Sequence, residues 1–140
     1  MSEIASIISK ALISLHIIKS RLTRAPIDTK TLIHNFKSCE YVLRIFLEEL
    51  DMYREGKSPE TEAVEIIIEA YGDTDVERIR KHLSRAIQGL KKLVRALEHK
   101  SFDTDILRDK DVAELEDVLQ KLSDLLSRKV SELASGIYAF

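Results

Sequence analysis

The chain has no tryptophan, one cysteine, two prolines and four glycines in 140 residues. A single cysteine, Cys39, makes no internal disulfide, so no disulfide framework holds this fold. The few prolines and glycines nearly all stand where a helix would begin or end. No uninterrupted apolar run approaches the length of about 18 residues that a membrane-spanning helix needs. The apolar N-terminal stretch lacks a basic leader and is broken by Ser, Lys and His, so it reads as mature sequence and a cytoplasmic location is expected. No glycine-rich phosphate loop, nucleophile elbow or pair of cysteines occurs. The four histidines show neither H-x-x-x-H nor E-x-x-H spacing, and they read as satisfied or solvent-facing. No cofactor and no small-molecule substrate is therefore expected.

Asparagine is also scarce, occurring only at Asn35, and glutamine only at Gln88 and Gln120. Beside 33% charged residues, that scarcity matches the composition of thermophile proteins. The net charge is only −2, yet it is strongly blocked along the chain. Residues 1–39 carry six bases and two acids, and residues 40–77 carry three bases and twelve acids. Residues 78–100 then hold eight bases against one acid, and residues 101–140 hold five against nine. Helices of opposite sign laid antiparallel would attract one another.

What the sequence has in abundance is heptad-like apolar spacing. The seam Ile4, Ile8, Ala11, Leu15, Ile18, Leu22 predicts a first helix over about 3–24, broken by Pro26. Leu32, Phe36, Cys39, Leu43, Phe46, Leu50 and Tyr53 predict a second over about 29–55, capped by Asp28 or Thr29 and ended by Gly56. Ser58 and Pro59 open a short third helix, about 59–71, ended by Gly72. Thr74 and Glu77 have the spacing of a capping box before a fourth, about 75–99, with the seam Val76, Ile79, Leu83, Ala86, Leu90, Leu93, Leu97. An Asp-rich connector with one helical turn leads to a fifth, about 111–135, stopped by Gly136. Its seam is Val112, Leu115, Leu119, Leu122, Leu126, Leu133, and the tail after Gly136 is free to dock. The expected fold is all-α: one domain over residues 1–140, an antiparallel four-helix bundle with one additional short helix.

Four features bear on function. The outward positions Arg78, Lys81, Arg85, Gln88, Lys92, Arg95 and His99 run two residues out of phase with the fourth seam, about 200° around the helix. They form a cationic ridge, with Arg78, Lys81, Arg85, Lys92 and Arg95 as candidates for contacting a nucleic-acid backbone. No aromatic side chain interleaves them to stack bases. Glu62, Glu65 and Glu69 lie on one flank of the third helix and are weak candidates for a metal site. The segment EAVEIIIEAYGDTDVERI resembles the helix–loop–helix of the phosphoribosyl-ATP pyrophosphatase and MazG group. Glu62 and Glu65 match that group's E-x-x-E motif. Its E-x-x-D partner falls at Lys81 and Ser84, which carry no carboxylate, so the implied metal-dependent hydrolysis lacks half of its ligands. Gly89 stands inside the fourth helix, where it permits close helix approach. Finally, Ile7, Ile13 and Ile17 beside the first seam, and Ile87 and Val94 beside the fourth, leave apolar surface for a second copy or another protein.

The leading expectation is a non-enzymatic bundle working through protein–protein contacts, as a homo-oligomer or accessory subunit, with no membrane partner. A nucleic-acid accessory protein and a metal-dependent hydrolase are the alternatives.

Overall fold

The computed structural model describes residues 2–20, 28–56, 61–72, 75–99 and 104–138, with 2, 104 and 133–138 as backbone only. Five α-helices follow one another: α1 (Ser2–Lys19), α2 (Thr29–Arg54), α3 (Glu62–Tyr71), α4 (Val76–Glu98) and α5 (Lys110–Tyr138). A 3-10 turn over Thr104–Arg108 supplies the one helical turn expected of the connector. No strand occurs among the described residues.

The four long helices form a closed square in which α1 packs on α2 and α5, and α4 packs on the same two. The short α3 touches α2 and α5, the diagonal pair, and so crosses one end of the bundle. The heptad-like seams meet in one contiguous core. Phe36, Leu43 and Leu50 of α2, Leu83, Leu90 and Leu93 of α4, and Leu115, Leu119 and Leu122 of α5 are fully buried in it. Burying one such side chain contributes roughly 1.5–3 kcal/mol, so packing outweighs intrinsic helix propensity in holding these elements. Cys39 lies in the same core, and burial pushes its thiol pKa up to about 12. It is a small hydrophobe there, not a nucleophile. The one buried polar side chain among the described residues, Ser14, donates to the carbonyl of Lys10 at 2.8 Å and accepts from Asn35 Nδ2 at 3.1 Å.

Several helix ends differ from the sequence expectation. α1 is described to Lys19, with the Ser20 amide and hydroxyl both donating to the His16 carbonyl, and the expected end near 24 lies outside the described residues. Leu22 and Pro26 lie outside the described residues. α2 starts as expected, with Asp28 accepting from the Thr31 amide, and Gly56 follows its end at φ +70°. The third helix begins only at Glu62, where the Thr61 hydroxyl accepts from the Val64 amide at 3.3 Å. Ser58 and Pro59 lie outside the described residues. Gly72 ends that helix in the left-handed conformation, as expected. The cap of α4 is Asp75, whose carboxylate accepts from the Arg78 amide at 3.2 Å; Thr74 is not described. α5 continues past Gly136 to Tyr138, since an interior glycine costs only about 1 kcal/mol and no proline follows it. The side chain of Leu133 and the last two residues lie outside the described set.

At Gly89, α4 lies directly against the backbone at the start of α5. A Cβ there would stand 2.5 Å from the Asp111 carbonyl oxygen and 2.9 Å from its carbon. The backbone of α5 occupies the space a side chain would need.

Candidate functional site

The cationic ridge of α4 points outward as expected. Arg78, Lys81, Arg85, Gln88, Lys92, Arg95 and His99 are all exposed. The anionic partners of Arg85 and Lys92 come from the connector and α5, not from the acidic second and third helices. Lys92 donates to Asp109 and to Asp111, each at 2.9 Å, and Arg85 reaches Glu114 at 3.3 Å. The two aspartates raise the Lys92 pKa, and Lys92 lowers that of Asp109. The middle of the ridge is thus an intramolecular clamp joining α4 to the first turn of α5. Lys81 and Arg95 enter no ion pair among the described residues.

The charge blocks do bring some helices together. Lys19 of α1 pairs with Glu116 of α5, and Arg80 of α4 pairs with Asp51 of α2 at 2.8 Å. Other α2–α4 pairs run against the block signs. Arg54 reaches Glu77 at 2.6 Å, and Lys37 reaches Glu98 at 3.1 Å. All of these sit at the surface, where each contributes little.

Glu62, Glu65 and Glu69 are exposed on α3, and Lys129 of α5 holds Glu69 at 2.9 Å. No three His, Cys, Asp or Glu side chains among the described residues gather as a metal site.

The sequence reading takes His82, with the other histidines, as satisfied or solvent-facing, and the structure places it at a helix junction. His82 is half-buried between α4 and α5, with its Nδ1 2.9 Å from Glu114 Oε2. The contact is an ion pair when the ring is protonated, and the Nδ1 is buried with no other polar partner among the described residues. The ring of Tyr71, at the end of α3, stands edge-on to His82 with centroids 5.9 Å apart, and Lys121 Nζ lies 5.9 Å from the Tyr71 ring centroid. The Tyr71 hydroxyl is buried and has no hydrogen-bond partner among the described residues. Burial first, then the charges of Asp117 and Glu114, raise the Tyr71 pKa well above its ordinary value.

A buried hydroxyl without a partner costs stability. Tyr71→Phe keeps the ring contacts and removes that oxygen. The expected outcome is a gain of about 1 kcal/mol in denaturant unfolding, from the relief of an unmade hydrogen bond. A clear loss of stability would show that the hydroxyl is satisfied in solution.

His82 forms part of the wall of two adjoining surface hollows. One, of about 610 Å³, lies over the start of α5 beside Arg85, Lys110, Asp111, Glu114 and Asp117. The other, of about 290 Å³, lies at the start of α4 beside Asp75, Glu77, Arg78, Lys81 and Arg85. The adjacency of His82 to the seam residue Leu83 signals only that its ring lies at the edge of the core.

The apolar side chains outside the seams separate into two groups. Ile87 is buried within the bundle and Val94 and Ile7 are half-buried, so they do not form a free face. Ile13 is 54% exposed and Ile17 lies one turn on from it, while α2 exposes Tyr41 at 68%, with Ile45 and Met52. Both stripes lie on the sides of their helices away from the core. Comparison with protein-family models, with curated protein sequences and with solved structures finds no match for this chain.

Proposed function

We propose that the protein is a non-enzymatic helical bundle that acts through protein–protein contacts, by self-association or as an accessory subunit. The observation that carries this reading is the pair of outward apolar stripes, Ile13–Ile17 on α1 and Tyr41–Ile45–Met52 on α2. Positions opposite a helical core are ordinarily polar, above all in a chain that is one-third charged. Leaving isoleucine and tyrosine there is explained by a partner that covers them.

Light scattering across a concentration series tests this. The native chain is expected to gain mass with concentration or to carry a bound partner from its source. The double variant Ile13→Glu, Ile17→Glu is expected to remain a folded monomer. A native chain that stays monomeric and co-purifies with nothing overturns the reading.

Binding of an extended polyanion along the whole α4 ridge is the second reading. It is weakened by Lys92, which stands at the middle of the ridge and is already held by two carboxylates. The exposed Lys81 and Arg95 keep it in view. Metal-dependent hydrolysis by Glu62, Glu65 and Glu69 has the least support, since Lys129 already takes Glu69.

A further inference from the structure

The outward row of α2 changes sign along its length. Its first half carries Lys30, His34 and Lys37, and its middle is Tyr41 and Ile45. Its second half carries Glu48 and Met52, with Glu55 just past the end of the helix. All of these are exposed, at spacings of three or four residues that keep them on one side. The row is therefore basic, then apolar, then acidic. Lys37 also reaches Glu98 of α4 at 3.1 Å, but its side chain stays 59% exposed, so that half keeps its sign.

A row in this order is complementary to itself only when reversed. Laid antiparallel about a point between Tyr41 and Ile45, α2 of a second copy sets its Ile45 against Tyr41. Lys37 then faces Glu48, Lys30 faces Glu55 and His34 faces Met52, and two-fold symmetry makes each pairing twice. Laid parallel, lysine would face lysine and glutamate would face glutamate, which is destabilising.

The apolar stripe of α1 enters the same contact. Asn35 donates to Ser14 at 3.1 Å and marks the flank of α2 that faces α1, whereas Lys37 and Asp51, paired with Glu98 and Arg80, mark the flank toward α4. At about 100° per residue, Ile45 and Met52 fall on the α1 side of Tyr41. The Ser14–Asn35 contact also sets Ile13 and Ile17 at the level of His34. An antiparallel second copy brings its Met52 to that level, so one contact covers both stripes. We infer that α2 pairs antiparallel with α2 of a second copy, as a two-fold dimer centred between Tyr41 and Ile45. This inference rests on the self-association reading above and names its surface and register.

Sedimentation equilibrium of the full chain tests the surface. Ile45→Glu places a charge at the centre of the contact and is expected to raise the dimer Kd at least about tenfold. Lys37→Glu and Glu48→Lys are each expected to weaken the dimer, and the chain carrying both is expected to regain it, because exchanged charges again face their opposites. Thermal melts confirm that each variant is folded. Nitroxide labels test the register, since Cys39 is buried and stays unlabelled. Labels on Lys30→Cys are expected about 40 Å apart across the dimer, and labels on Arg44→Cys within about 20 Å.

Equally short distances at the two sites overturn the antiparallel register. A dimer kept by Ile45→Glu but lost in Ile13→Glu, Ile17→Glu overturns this surface and leaves self-association standing. A native monomer that carries another protein overturns the dimer and leaves the accessory-subunit reading. A native monomer that carries nothing overturns both.

Discussion

Gly89→Ala is expected to destabilise the bundle by about 2 kcal/mol, against the sign that helix propensity alone assigns to the change. In an exposed helix interior, alanine in place of glycine stabilises by about 1 kcal/mol. Here the new Cβ meets the carbonyl of Asp111 at 2.5 Å. That carbonyl belongs to the backbone, so it cannot swing aside as a side-chain tip would. Either α5 moves away from α4, opening space below it, or the first turn of α5 distorts and loosens the Lys92 clamp. Overpacking of this kind typically costs about 1–3 kcal/mol; the rigidity of the obstacle puts this site at the upper end, and the helix-propensity gain of about 1 kcal/mol offsets part of that cost. Urea unfolding measures the loss as a lower midpoint at unchanged slope. A midpoint raised by the substitution would mean that the two helices are not in close approach at Gly89.

Phe36→Ala is expected to have the largest effect, a loss of about 3–5 kcal/mol. Phe36 is fully buried on α2, within the contiguous core that all five helices share. Its removal takes away the transfer free energy of the ring and leaves a cavity that only partly collapses. A domain of this kind has roughly 5–15 kcal/mol in total, so the variant approaches the limit of folding at moderate temperature. Tyr41→Ala, on the same helix, serves as the control when measured at concentrations where the chain is monomeric. Its side chain is 68% exposed, and the expected change is within about 0.5 kcal/mol. Equal losses at the two positions would contradict the division of α2 into a buried and an outward face.

The difference between those two aromatic residues was legible in the sequence, because Phe36 falls on the seam and Tyr41 does not. The same spacing rule located the four long helices and placed Arg78 to His99 on the outside of α4. Helix starts were less legible where cap-competent residues crowd together. Ser58 and Thr61 are both good N-caps, as are Thr74 and Asp75, and local spacing does not rank them. The extent of burial on α4 was also underestimated. A single stripe describes a helix with one neighbour, whereas α4 packs on both α2 and α5, and its buried arc widens to include Ile87. The site around His82 was illegible for a different reason. His82, Glu114 and Tyr71 come from three helices, and no periodicity within one helix reports that meeting. The partners of Lys92 depend on the path of the connector, which brings Asp109 and Asp111 back beside it.

The pairing of α1 with α5 has a consequence for how the chain is made. Lys19 and Glu116 are separated by 97 residues, whereas α4 and α5 are neighbours along the chain. At roughly 5–20 residues per second of synthesis, that separation amounts to about 5–20 seconds. Throughout that interval α1 has emerged and has only α2 to lie against, so the side of its seam that belongs to α5 faces water. Of these five helices, α1 is made earliest and waits longest for its α5 neighbour, and α2 is what shields it while the later helices are still being built.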